Sequence, residues 1–291
     1  MVSRTIAIML ALATSTPLAA APPQPPRFFV SGTGTLAIEN VHTKERITIH
    51  YRHPDNTYDP AALDRLALLF RSRGDGAVHD PVLRLVEVLS HVRDVAGTDH
   101  LVLFSGYRSP DYNQTLKGSA KASMHTEGLA ADVAFAASKL SLETIWHRVR
   151  ALDCCGAGFY GRDAFMHLDV GRPRFWEKTT SRVGENLAGG NARLFARTEY
   201  DRYTPGERVV VSVHSLTLPP VRIAREAKLG ATPVRLDGDG GCLELTKTGA
   251  TLELPAAPAT NERTRLTLTT CEPRAERTPA TIETNFIAVG D

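Results

Sequence analysis

Phe165-Met166-His167-Leu168-Asp169-Val170 alternates apolar and polar side chains. In an extended chain, side chains two apart share a face. Met166, Leu168 and Val170 therefore turn toward a core, and His167 and Asp169 stand together on the other side. An apolar rear and a His-x-Asp front suit the floor of a site. Upstream, Ser123-Met124-His125-Thr126-Glu127-Gly128-Leu129-Ala130-Ala131-Asp132 runs into a second extended segment, Ala130 to Phe135. There Asp132 shares a face with Ala130 and Ala134, whose small side chains leave room for a substrate or an ion. His125 comes from the preceding loop, where Gly128 lets the chain fold back. Glu127 is expected to point to solvent.

The pattern extends in both directions. Thr35 to Val41 and Arg46 to Tyr51 alternate around a polar turn and predict a β-hairpin. Asp59-Pro60 and Asp80-Pro81 each open an apolar stripe at helical spacing, with Asp as cap and Pro in the first turn. Leu101 to Ser105 reads as a central strand, Ser141 to Leu152 as an amphipathic helix, and Gly156 to Tyr160 as the partner of Phe165 to Val170. This order predicts an α+β layer structure: an antiparallel sheet with flanking helices.

Residues 179–191 carry Gly184, Gly189 and Gly190 with few apolar side chains and read as a linker. Beyond it, Arg208 to Val213, Cys242 to Leu245, Thr251 to Leu254 and Arg265 to Leu268 are short strands separated by Pro, Gly and Asp turns. They predict a small β-sandwich over 192–291. Cys242 and Cys271 both fall within it and are positioned to bridge. Cys154 and Cys155 are adjacent and admit three readings: a vicinal disulfide, separate partners, or buried thiols.

Arg4, the apolar run Ile6 to Ala13 and the small residues Leu18 to Ala21 read as a signal peptide over 1–20, followed by a Pro-rich spacer. The mature chain is then exported, periplasmic or secreted, with no stable membrane span. A formal charge of +2 among 291 residues argues against nucleic acid, whose binders concentrate Lys and Arg on one face.

His125, Asp132 and His167 are the candidate metal ligands. Two neutral imidazoles and a carboxylate bind Zn²⁺ well and leave a fourth tetrahedral position for water, which is what makes a zinc site catalytic. No Gly-x-Ser-x-Gly elbow or phosphate-binding glycine loop competes.

These segments, taken in order, resemble a known group. Ser105-Gly106-Tyr107-Arg108-Ser109-Pro110, Ser123-x-His125-x-x-Gly128-x-Ala130-x-Asp132, Gly158-Phe159-Tyr160, Phe165-x-His167-x-Asp169-x-Gly171 and Arg174-x-Trp176 are similar to the zinc murein peptidases. That superfamily includes D-Ala-D-Ala carboxypeptidases, L-alanyl-D-glutamate endopeptidases and the hedgehog signalling domain, and the nearest branch is the MepK-type periplasmic endopeptidases. The resemblance implies a zinc peptidase domain over 27–178, zinc on His125, Asp132 and His167, peptidoglycan as substrate, and Arg108 facing a substrate carboxylate or oxyanion. It does not cover the C-terminal region.

One position departs from the pattern. Many members carry an acidic residue three places before the last zinc histidine, where this chain has Ala164. Asp169, beside His167, and Asp163, next to the expected place, are the candidate general bases. Asp169 is equally placed to orient a ligand imidazole. The alternative to a peptidase is a non-catalytic, zinc-containing wall-binding protein.

Overall fold

The computed structural model describes residues 24–120, 123–178, 194–214, 221–246, 249–273 and 278–290. The expected signal peptide at 1–20 and linker at 179–191 lie outside the described residues.

Within residues 24–178, seven described strands form one sheet: β1 (Thr35–Asn40), β2 (Arg46–His50), β3 (His100–Ser105), β4 (Ala130–Ala136), β5 (Gly156–Tyr160), β6 (Phe165–Asp169) and β7 (Arg174–Glu177). Their spatial order is β2-β1-β3-β4-β6-β5-β7. The expected hairpins β1–β2 and β5–β6 are present. The sheet is mixed, however, and not antiparallel throughout. β1 pairs with β3 in parallel, because the chain crosses back through two helices before re-entering beside β1, a connection long enough for parallel neighbours. β7 runs parallel to β5, because β5 lies between it and the strand it turned from.

Four described helices accompany the sheet: α1 (Pro60–Leu69), α2 (Leu83–Ala96), α3 (Pro110–Thr115) and α4 (Leu142–Ala151). Asp59 caps α1, its carboxylate accepting from the N–H groups of Ala61 and Ala62. The second Asp-Pro pair behaves differently. α2 starts at Leu83 with Val82 as its cap residue and no side-chain cap. Val82 is held instead by its own N–H, which donates to the Gly128 carbonyl at 3.1 Å, so the helix start is tied to the loop that carries His125. α2 and α4 cover one face of the sheet. Leu85, Leu89, Ile145 and Val149 meet Leu101, Leu103, Val133, Met166 and Leu168 in a core that excludes solvent.

α2 also buries a charge. The Glu87 carboxylate accepts from the phenols of Tyr51 and Tyr58 at 2.9 and 3.1 Å and from Arg52 Nε at 2.7 Å. Burial and the adjacent carboxylate push both phenols well above their ordinary range. Arg52 extends the network by donating to the Gly32 carbonyl, which straps the segment before β1 onto α2.

The C-terminal region is all β: β8 (Phe195–Thr198), β9 (Arg202–Tyr203), β10 (Val209–His214), β11 (Val221–Leu229), β12 (Thr232–Arg235), β13 (Cys242–Leu245), β14 (Ala250–Leu254), β15 (Thr264–Thr270) and β16 (Thr281–Val289). One sheet runs β14-β10-β8, and the other runs β12-β11-β15-β16-β9 with β13 on β11. Val211, Val213, Ile223, Leu252, Leu266 and Ile287 build a second core. β11 alternates cleanly and β16 alternates as far as Thr284, beyond which the pattern shifts and Phe286 is exposed; neither is among the strands expected from sequence. Their other outward positions include Arg, Glu, Lys and Thr, which read as ordinary surface. Cys242 and Cys271 are bonded, and so are Cys154 and Cys155, in the vicinal arrangement.

The two regions touch through polar anchors. Arg84 on α2 pairs with Asp201 at 2.5 Å, and Asp201 also accepts from the Phe29 N–H and from Asn285.

Glu87→Ala leaves Arg52 buried without its carboxylate and should lower stability by about 3–5 kcal/mol, read as the shift in urea midpoint at constant slope. Replacing Cys242 and Cys271 together by Ser frees the intervening loop in the unfolded chain and should cost about 3–4 kcal/mol, measured the same way with and without reductant.

Candidate metal centre

The site forms where a short turn, two neighbouring strands and one loop converge. A 3-10 turn over Met124–Glu127 is capped by Ser123, whose hydroxyl accepts from the His125 N–H. Gly128 ends it in the left-handed region at φ 66, and a Cβ there would lie 2.6 Å from the Asp80 carbonyl. Glycine is needed on both counts. The turn aims the His125 ring inward, 2 % exposed, with Nδ1 2.7 Å from the Gly106 carbonyl.

Asp132 on β4 lies directly opposite His167 on β6. This pairing brings Asp132 Oδ1 to 2.9 Å from His167 Nδ1 and 3.4 Å from His125 Nε2. The two ring nitrogens are 3.2 Å apart. His125, Asp132 and His167 thus form a cluster able to hold a metal ion.

The outer partners decide which atoms face inward. The Gly106 carbonyl can only accept, so His125 Nδ1 carries the hydrogen and Nε2 turns a lone pair to the centre. His167 Nε2 meets Asp169 Oδ2 at 3.0 Å and Nδ1 meets Asp132 Oδ1 at 2.9 Å; in the neutral ring with its hydrogen on Nε2, Nδ1 is the nitrogen able to ligate. A tetrahedral ion with bonds of about 2.0–2.1 Å requires donor separations of roughly 3.3–3.4 Å, close to the separations here.

Asp169 stands behind His167. Its oxygens accept from Arg174 at 2.9 and 2.7 Å and from the Gly171 N–H at 2.8 Å, as well as from His167. Burial alone would raise its pKa, but Arg174 and His167 outweigh that and hold it far below the carboxylate range. Burial likewise works against Asp132, and the two imidazoles hold it well down. Burial pushes His125 below the usual imidazole range, whereas the Asp132 and Asp169 carboxylates overcome burial at His167 and raise it.

Arg108 is fixed at both ends of its guanidinium, Nε donating to Ser105 Oγ at 2.8 Å and Nη2 to Asp132 Oδ2 at 2.5 Å. Asp163 is placed apart from the cluster. It ends the 3-10 turn Gly161–Asp163 and pairs with Lys178 at 2.6 Å on the surface.

Two features go beyond the ligands expected from sequence. Gly158 lies across from both His167 and Trp176. A Cβ on it would meet the indole at 2.5 Å, so the Trp176 ring covers Gly158 and packs on His167 with centroids 5.3 Å apart. One pleat away, Phe104, Phe165 and Tyr160 stack in a row, with centroids 5.5 and 4.6 Å apart. Strand alternation alone hints at these aromatics; their alignment across strands depends on register. Glu127 does not point freely to solvent, since its carboxylate meets His214 of β10 at 2.5 Å.

Residues 30–176 match the family described as peptidoglycan L,D-endopeptidase MepK. The chain belongs to this family. Among curated proteins it is 32 % identical over 146 residues to peptidoglycan L,D-endopeptidase MepK of Escherichia coli (strain K12), covering 48 % of this chain and 79 % of the relative. The MepK of Shigella flexneri matches to the same extent. The probable MepK of Haemophilus influenzae is 27 % identical over 148 residues, covering 49 % of this chain and 78 % of its own. No solved structure matches the chain. The family match contains every residue of the cluster and ends at Trp176, so the C-terminal region stands outside it.

Asp169→Asn keeps the shape of the group behind His167 but weakens its hold on the ring. It should reduce divalent-metal affinity by roughly 10–100-fold in competition with a chromophoric chelator, with far-UV circular dichroism unchanged. An affinity equal to that of the unaltered chain would show that Asp169 does not orient His167.

Proposed function

We propose that this MepK-family chain is a zinc-dependent peptidase of the bacterial wall that hydrolyses an amide in peptidoglycan stem peptides or cross-links. The observation that carries the reading is the convergence of His125 Nε2, Asp132 Oδ1 and His167 Nδ1, separated by 2.9–3.4 Å. Two imidazoles and one carboxylate form the ligand set of an open, catalytic zinc site. The relatives are named L,D-endopeptidases, and we assign this chain the same class: cleavage of an amide joining an L-centre to a D-centre.

The protein's part in the reaction follows from the geometry. His125, Asp132 and His167 would hold the zinc. When bound, the ion polarises the scissile carbonyl and brings the pKa of the attacking water toward about 7. Asp169 keeps the hydrogen of His167 on Nε2, which leaves Nδ1 free to ligate and stiffens the ring. With all its hydrogen-bonding directions taken by His167, Arg174 and Gly171, it is a positioning carboxylate and not the base. Asp163 remains the candidate for proton transfer, and it would have to leave Lys178 to reach the water. Arg108 spends Nε and Nη2 on Ser105 and Asp132, and its Nη1 is left to meet a substrate carboxylate or the developing oxyanion.

We place the catalytic domain at 27–178 and a β-sandwich domain at 192–291, the latter because two sheets enclose one core. Residues 1–20 act as the export signal, and the mature protein works in the periplasm on peptidoglycan. No described helix is long and apolar enough to cross a membrane.

The full-length chain, incubated with purified sacculi and then with defined muropeptides, should release products whose masses place the break at an L,D amide. A chelator should stop the release and added Zn²⁺ restore it. His167→Ala should abolish both zinc retention and cleavage. Undiminished digestion by that variant would overturn the assignment.

A further inference from the structure

Strand β8 serves both cores. Leu194 and Ala196 are buried in the second core, whereas Phe195 is buried in the first. Arg197 follows Phe195 onto that side. On β10, His214 lies directly across from Phe195, and the two rings stack 4.9 Å apart at 14°. One face of this sheet therefore presents Phe195, Arg197 and His214 to the metal-bearing region.

Both polar groups land beside the metal site. His214 Nδ1 lies 2.5 Å from Glu127 Oε2, with only 7 % and 16 % of the two side chains exposed. Glu127 closes the 3-10 turn that carries His125. Arg197 Nη2 donates to the Gly171 carbonyl and, at 3.0 Å, to that of Cys154. The Gly171 N–H in turn donates to Asp169, and Cys154 precedes Gly156, which is paired with Asp169 across the sheet. The Glu127 and Gly171 contacts thus fall two residues from His125 and Asp169, and the Cys154 contact falls two residues from the cross-strand partner of Asp169.

We propose that His214 and Arg197 are positioning residues for the metal site, so that the C-terminal region clamps the catalytic unit from behind and is not a separately acting wall-binding module. The inference rests on the reading of His125, Asp132 and His167 as a catalytic centre. A four-residue 3-10 turn has little stability of its own, yet a metal site needs its ligands held within about 0.5 Å. The Glu127–His214 contact supplies that restraint on one side and Arg197 supplies it on the other. Docking alone would not require these groups: Arg84–Asp201 and the buried Phe195 already join the regions. Arg197 is buried with Nε unpartnered among the described residues, while Nη2 meets two carbonyls; burying a guanidinium in this way is costly. Here the two carbonyls it meets belong to the segments around Asp169.

The test uses the full-length protein as His214→Ala and His214→Asn, since Asn places an N–H near the position of Nδ1. In His214→Ala, deuterium uptake should rise in peptides spanning 123–129 and stay unchanged over β1 and β2. The kcat on muropeptides should fall about tenfold or more with KM within about twofold, and His214→Asn should recover most of both losses. Adding Glu127→Ala to His214→Ala should cost little more, because the two act as one pair. Unaltered uptake and kcat in His214→Ala would overturn the proposal. So would a rise in KM alone, which would make His214 a substrate contact, or a sheet-wide rise in uptake that Asn does not rescue, which would make it only a fold element. Should the unaltered chain cleave no muropeptide, the peptidase reading fails, and the exchange measurement still decides the clamp.

Discussion

The antiparallel pairing of β4 with β6 sets Asp132 directly across from His167, and most of the site follows from that register. A slip by one residue would exchange the two faces of a strand. It would expose Ala131 and Val133, or Met166 and Leu168, all of which are fully buried. Each large apolar side chain contributes about 1.5–3 kcal/mol by leaving water, so the core holds the register firmly. The chemistry on one face is thus specified by packing on the other.

Holding charge on that face requires compensation. Asp132 and Asp169 are both removed from solvent, and an isolated buried carboxylate would take up a proton. Asp132 is balanced by the imidazoles and Arg108, and Asp169 by His167 and Arg174. The same solution appears beyond the site, where Glu87 is matched to Arg52 and two phenols. Networks of this kind fix geometry because removing any member leaves another buried and unpaired. In the candidate centre this yields a preset arrangement of the three potential ligand atoms.

The family match ends at Trp176, yet the chemistry-bearing face continues into the C-terminal region. β8 has no free side, because its alternate residues enter different cores. The segment that links the two regions in space is therefore also one that supports the site, through Arg197 to Gly171 and through its neighbour His214 to Glu127.

Much of this was readable in the residues themselves. The hairpin of β1 and β2, the Asp59-capped helix, the alternation of β6 and the glycine at 128 follow from local rules of spacing and backbone freedom, which act over a few residues and leave their mark in order. The three side chains of the candidate metal cluster were recognisable because residue types and spacing, in sequence with the flanking motifs, matched a family. Other features had no local signature. The parallel β1–β3 pairing, the start of α2 at Leu83 with Val82 held by Gly128, the row of aromatics and the engagement of Glu127 by His214 all join residues far apart in the chain. The amino-acid order alone determined which side chains are available and which face of each strand they occupy, since those depend on period and propensity. Only the tertiary structure decided which strands are neighbours and in what register, because that choice is made by the packing of the whole core. It is this choice that sets Asp169 behind His167, with its oxygens engaged by the ring, Arg174 and the Gly171 N–H.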